Sequence, residues 1–438
     1  MRKIISWLML FALLLVGCKG QAPIQEKQET VEMPMQSAPV QDKTDQGDPD
    51  SGTSTAARDG SMGEIPPIEG YTDFAGVLSA ALIDGTGNKN LSPISVYLAL
   101  AMAAEGAKGD TRAELLRLLD EEKLEDLRHS AQSMLKSLIM NGTSGELTLA
   151  NAIFLGRQDG SVTFHEAYLD ALKKYYDAEA DAVFFGEPEA GKRIVAWIRE
   201  KTREKIQPSE DAMTFDTDTL AVLLNTIYLK DSWKIPFDQD YTEQGPFVGL
   251  NGQELLVRYM RRTDTGAAIV RGKGYLRYAM GLSEVGRMVF VLPDEGVSLS
   301  SLLGSPEKIR ELLYGGESMQ ADVNLMVPRF AFNDRTDLEE TLMNLGAKLC
   351  LTSGADFSGM TDTPAHISRV LQESRIGVDE SGVEAAAYTM IVMTKNGMSM
   401  DKREKVDFHL TRPFLYFIES QDGTLLFIGT VTAPDETK

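Results

Sequence analysis

A chain of 438 residues that is 43% hydrophobic and 25% charged carries enough apolar material for a large soluble core. Its formal net charge of −21 argues against nucleic acid as a partner, because backbone binding needs clustered Lys and Arg, and acids interleave the short basic patches such as 199–205. Two cysteines (Cys18, Cys350) and four histidines (His129, His165, His366, His409) exclude a cysteine-based zinc site and supply no histidine pair at metal-ligand spacing.

The chain opens on Arg2 and Lys3, followed by an apolar run from Ile4 to Val16 that is too short to span a bilayer and reads as a signal peptide. The stretch LLLVGC then places Gly17 directly before Cys18. This resembles a bacterial lipoprotein lipobox, with residues 1–17 removed and Cys18 acylated. The resemblance implies export and a lipid anchor to a bacterial membrane, with the folded part outside the cytoplasm. Lys19 stands where an aspartate often retains such proteins at the inner membrane, so the outer membrane or cell surface is favoured. With Cys18 carrying lipid, Cys350 is left alone and stability must come from the core. Residues 18–68 are poor in aromatics and rich in Gln, Pro, Asp, Ser and Thr. They cannot bury enough apolar surface to fold, and read as a disordered tether.

From Tyr71 helical spacing begins, with Phe74, Leu78 and Leu82 on one face. SVYLALAMAAEGAKG (95–109) is apolar almost all round and predicts a buried helix. TRAELLRLLDEEKLEDL (111–127) predicts an amphipathic helix with Thr111 and Glu114 at capping-box spacing. AGKRIVAWIREKTREKI (190–206) predicts another, burying Ile194, Trp197 and Ile198. Strands are predicted at AVLLNTIYL (221–229), RMVFVLP (287–293), RPFLYFIES (412–420) and TLLFIGTVT (424–432). The last two, split by Gln421-Asp422-Gly423, predict a hairpin. No second linker or internal repeat interrupts residues 69–438, which are expected to form one large domain. Helices gather early and strands late, so the class is α+β.

A catalytic constellation is not visible. There is no HExxH, GxSxG or GxxxxGK[ST], and no cofactor motif. SxxK occurs twice, at Ser133-Lys136 and Ser305-Lys308, but without the SDN and KTG companions of an exported acyl enzyme, and Ser305 precedes a proline at a helix start.

NLSPISVYLALAMAAEGAKGDTRAEL (90–115), LTLANAIFL (147–155), LLNTIYLKDSWKIPFD (223–238), MVFVLPDEG (288–296), VPRFAF (327–332), GADFSGM (354–360) and RPFLYFIESQDGTLLFIGTVTAP (412–434) together resemble the serpins, the serine protease inhibitor family, in order and in spacing. The resemblance covers roughly residues 71–434. It implies a single large domain with a helical N-terminal part, a central mixed β-sheet, further antiparallel sheets and an exposed reactive-centre loop. It implies no enzyme but an inhibitor of serine or cysteine proteases, a monomer whose partner is the protease it traps covalently. Non-inhibitory serpins that act as binding or carrier proteins are the alternative.

In that family GVDESGVEAAAYT (377–389) corresponds to the loop hinge, here Glu380, Gly382, Val383, Glu384, Ala385, Ala386 and Ala387. An arm that must become a central strand needs period-two alternation. Taking Val383 as the first inserted position, Val383, Ala385, Ala387, Thr389, Ile391 and Met393 face the core, while Glu384 and Tyr388 fall on the opposite parity. The resemblance further implies a hydrogen-bonded cluster controlling sheet opening at Ser92, Ser95, Asn225 and Gln372, where Gln372 stands in place of the commoner histidine. Trp233 matches the tryptophan where insertion begins. The scissile bond lies within 393–402: counting from Glu380 gives Asn396, beside Lys395 and Gly397, and counting back from Pro413 gives Met398 or Met400.

Overall fold

The structure, a computed structural model, describes residues 69–156, 163–209, 213–383 and 403–435. Its first part runs α1 (Glu69–Leu82), β1 (Lys89–Leu91), α2 (Pro93–Gly106), α3 (Gly109–Leu118), α4 (Leu124–Leu138), β2 (Met140–Asn141), β3 (Gly145–Gly156), α5 (Glu166–Tyr176), β4 (Ala178–Val183), α6 (Pro188–Lys201) and β5 (Ala221–Ser232). Then come β6 (Glu243–Val248), β7 (Glu254–Gly272), β8 (Tyr275–Gly281), β9 (Gly286–Pro293), α7 (Pro306–Tyr314), β10 (Glu317–Pro328) and β11 (Phe330–Asp337). The chain ends with α8 (Glu339–Asn344), β12 (Leu371–Val378), β13 (Gly382–Val383), β14 (Glu404–His409), β15 (Phe414–Ser420) and β16 (Leu425–Val431).

Two sheets organise these elements. The central sheet has the order β11-β12-β13-β5-β3-β2, with β4 parallel to β3, and is therefore mixed. The larger sheet has the order β1-β16-β15-β9-β8-β7-β10-β14, with β6 on β7. It is antiparallel except where β14 runs parallel to β10. All described residues fall in one compact unit within Ser61–Lys438.

The helix α2 lies in the core and is buried everywhere but at Ala99, as its all-round apolar sequence demands. It packs on β5 of one sheet and on β16 of the other. The acid in its last turn, Glu105, survives burial because Arg128 pairs with both carboxylate oxygens and the Tyr176 hydroxyl donates to it at 3.4 Å. A smaller cluster on the other side of the central sheet joins Ile194, Trp197 and Ile198 of α6 to Ala152 and Phe154 of β3. The predicted hairpin is formed by β15 and β16, with Gly423 at φ +83° in its turn.

The single helix predicted over 111–127 is two. α3 stops at Leu118, Asp120 takes a left-handed φ of 54°, and α4 starts at Leu124. Glu121 is drawn inward by the hydroxyls of Tyr97 (2.8 Å) and Ser130 (2.7 Å), which pulls the chain off a helical path. Nor do Thr111 and Glu114 cap this helix. The Thr111 hydroxyl accepts the Asp356 N–H, and the Glu114 carboxylate accepts those of Leu349 and Cys350, so both bind a distant segment instead.

Candidate functional site

The strand β5 is β-branched and long-chain apolar, and it runs straight to Trp233, whose side chain is fully buried. On the far side of the sheet β12 ends at Val378, the chain turns through Asp379 to Ser381, and β13 enters between the two strands. Val383 pairs with Val378 on one side and with Asp231 on the other, and Gly382 lies opposite Ser232. Beyond these two residues no ladder joins β12 to β5 among the described residues. Val383 is 1% exposed and belongs to the main core, the parity expected for it. At Gly382 the backbone passes so close to β5 that a Cβ would overlap the carbonyl of Asp231, so only glycine fits. The arm is thus not wholly outside the sheet: its first two residues are already within it.

The root of the arm is pinned from several directions. The Trp233 indole donates to the Asp379 carbonyl at 2.8 Å, and its backbone N–H donates to the Ser381 carbonyl at 2.9 Å. Phe237 N–H donates to the Glu380 carbonyl at 3.0 Å. The Glu380 side chain, 3% exposed, is paired by the Arg329 guanidinium, whose Nε lies at 2.7 Å, and accepts the Thr242 hydroxyl at 2.5 Å. Beneath it the Asp231 carboxylate accepts backbone N–H groups of Ser232, Glu284 and Val285. Burial pushes the Asp231 carboxyl above the usual carboxylate range despite those bonds.

The expected sheet-opening cluster is divided. Gln372 on β12 accepts the Ser92 N–H at 3.0 Å and donates to the Ser92 carbonyl at 2.7 Å, and the Ser95 hydroxyl donates to that of Ser92 at 3.2 Å. Asn225 does not join them. It donates to Asn151, its register partner on β3, at 2.8 Å, and Asn151 donates to the Tyr176 carbonyl at 2.7 Å. The Asn225 Oδ1 is buried without a hydrogen-bond partner among the described residues. The reason for the division is spatial: Gln372 and Asn225 sit on strands that part beyond Val383. Gln372 serves the Ser92 backbone both ways, since an amide both donates and accepts.

Arg403 leads into β14, where Glu404 pairs with Ala321 of β10. The strands on either side of residues 384–402, β13 and β14, therefore belong to different sheets. Glu384, Ala385, Ala386, Ala387, Lys395, Asn396, Gly397, Met398 and Met400 lie outside the described residues, as does Cys18. Ser305 of the second SxxK is a helix cap. The Ser305 hydroxyl caps α7 by accepting the Lys308 N–H at 3.3 Å, and the ammonium of Lys308 goes to the Ser301 carbonyl.

Sequence reading missed Arg329, Thr242, Asp379 and Asn151. Three of them stand inside motifs already singled out: Asp379 in GVDESGVEAAAYT, and Arg329 in VPRFAF and Asn151 in LTLANAIFL, the last two as polar residues in otherwise apolar runs. Such a break in pattern was the available signal.

Comparison with known proteins agrees with this geometry. The family model for Serpin (serine protease inhibitor) matches residues 69–434. The chain is 32% identical over 363 residues to Serpin B6 of Pongo abelii, covering 80% of this chain and 94% of that protein. It is also 32% identical over 361 residues to Serpin B8 of Homo sapiens, with the same coverage. Among solved structures, the thermophilic serpin tengpin in its native state superposes with a TM-score of 0.72 at 25% identity, over 83% of this chain and 93% of that one. Human thyroxine-binding globulin, solved in complex with its thyroxine ligand, superposes with a TM-score of 0.72 at 25% identity, over 84% of this chain and 98% of that one.

Proposed function

Since the chain belongs to the serpin family, we propose that it is a protease inhibitor of the suicide-substrate kind. The observation that carries this reading is the root of the arm: Gly382 and Val383 already bridge β12 and β5, and beyond them no ladder joins those strands among the described residues. In this reading the protease's own nucleophile attacks a carbonyl carbon within residues 393–402, the new C-terminal segment leaves as an amine, and an acyl-enzyme ester remains. Cleavage frees the arm, which zips into the sheet from Val383 onward. The ester-linked protease is carried along and deformed before water can reach the ester. Inhibition is a race between insertion and hydrolysis, and each molecule is consumed once. The proposal extends to the termini: residues 1–17 are removed, Cys18 is acylated, and residues 18–68 tether the domain to an outer membrane or cell surface.

The carrier reading draws support from the likeness to thyroxine-binding globulin. Against it stands the small-residue hinge, Ala385 to Ala387, which a carrier has no need of.

Incubation with a panel of trypsin-, elastase-, chymotrypsin- and papain-like proteases is the test. An SDS-resistant complex is expected with at least one of them, and sequencing the released C-terminal peptide identifies the cleaved bond. Cleaved product alone with every protease would sink inhibition and favour the carrier.

A further inference from the structure

We propose that the carboxylate of Asp379 sets the register in which the arm enters the central sheet, acting as a positioning residue at the base of the hairpin between β12 and β13. This rests on the inhibitory reading, in which the arm goes on to insert. β12 returns as β13 through Glu380 and Ser381, with the Asp379 N–H donating to the Gly382 carbonyl at 3.1 Å and Val378 paired to Val383. Two-residue hairpins favour turns with positive φ at one or both central residues, because those turns twist as the strands do, whereas the ordinary types splay them. Neither Glu380 nor Ser381 has a positive φ. The turn backbone therefore does not hold the strands in line by itself. The Asp379 side chain supplies the missing brace: Oδ1 accepts the N–H of Ser381 at 2.8 Å and that of Gly382 at 3.3 Å.

Register matters here more than in most hairpins, because the side-chain period of a strand is two and a slip of one residue reverses every face. With Val383 facing the core, Ala385, Ala387 and Thr389 would follow it inward on insertion. A slip of one residue would instead drive Glu384 and Tyr388 into the core. It would also move Gly382 from a place where the β5 backbone leaves no room for a Cβ. Asp379 keeps Gly382 there.

The test uses the full chain carrying Cys18→Ser. Val378→Cys with Val383→Cys sets a thiol pair at the position of the hairpin that is not hydrogen-bonded, where facing side chains are closest. Cys350→Ala is carried as well, so that the new pair holds the only thiols in the chain. Both new thiols are buried, as Val378 and Val383 are, so closure is read as a rate under an excess of a small oxidant. Adding Asp379→Ala should slow closure about fivefold, the effect of losing a capping acceptor, and Asp379→Asn, which keeps an acceptor oxygen, should restore it. Against a protease that the parent chain traps, Asp379→Ala should raise the number of inhibitor molecules consumed per complex by a similar factor, and Asp379→Asn should not. Equal closure rates in parent and Asp379→Ala overturn the proposal, and so does an equal loss in the alanine and asparagine variants. A parent chain that traps no protease sinks the inhibitory reading instead, while the disulfide rates still decide the register.

Discussion

Glu380 would be an expensive residue to bury alone. Its carboxylate is withdrawn from water and compensated by Arg329 and Thr242, each contributed by a different segment, so the hinge is tied to the body of the protein by charge as well as by backbone. The Arg329 side chain is 21% exposed, so solvent screens part of the attraction. Glu380→Gln or Arg329→Ala should each lower unfolding stability by about 2–3 kcal/mol, below the full cost of breaking a wholly buried pair. In a double-mutant cycle the two should couple by about 1 kcal/mol or more. Additive losses in denaturant titrations would mean that the pair does not act as a latch.

At the scale of elements the decisive fact is alternation. Val383 faces the core, so the residues that follow it at steps of two meet the same interior if the arm becomes a strand. Ala385→Arg should therefore block insertion, because a buried unpaired guanidinium costs several kcal/mol, and the chain should be cleaved without trapping its protease. Ala386→Arg, on the opposite parity, should retain most of the trapping. Equal behaviour of the two variants in a complex-formation assay would refute the parity. The neighbouring strands are prepared for such a change unequally. Gln372 on β12 holds the start of α2 by two hydrogen bonds at Ser92, while Asn225 on β5 leaves one acceptor unengaged among the described residues.

Across the whole molecule, the proposed mechanism requires that an arm inserting only after cleavage release free energy held by the uncut state. About a dozen inserted residues, each adding backbone bonds worth about 0.5–1.5 kcal/mol, supply on the order of ten kcal/mol. Loop cleavage should then raise the unfolding temperature by ~20 °C or more, read by circular dichroism on intact and cut protein. An unchanged transition would show that the uncut state is not metastable.

The periodic elements were readable in advance because their pattern is local. The buried α2, the β5 run that leads to Trp233, and the hairpin of β15 and β16 all announce themselves by apolar spacing or turn chemistry within a dozen residues. What the order of residues could not decide was partnership between distant side chains. Only the folded chain draws Glu121 to Tyr97 and so breaks a helix, turns Thr111 and Glu114 from capping to binding a remote segment, separates Asn225 from Gln372, and brings Arg329 and Trp233 to the root of the arm. Hydrophobic periodicity acts along the chain and survives any context. Hydrogen bonds and ion pairs need both partners at contact distance, and that distance is a property of the tertiary structure alone.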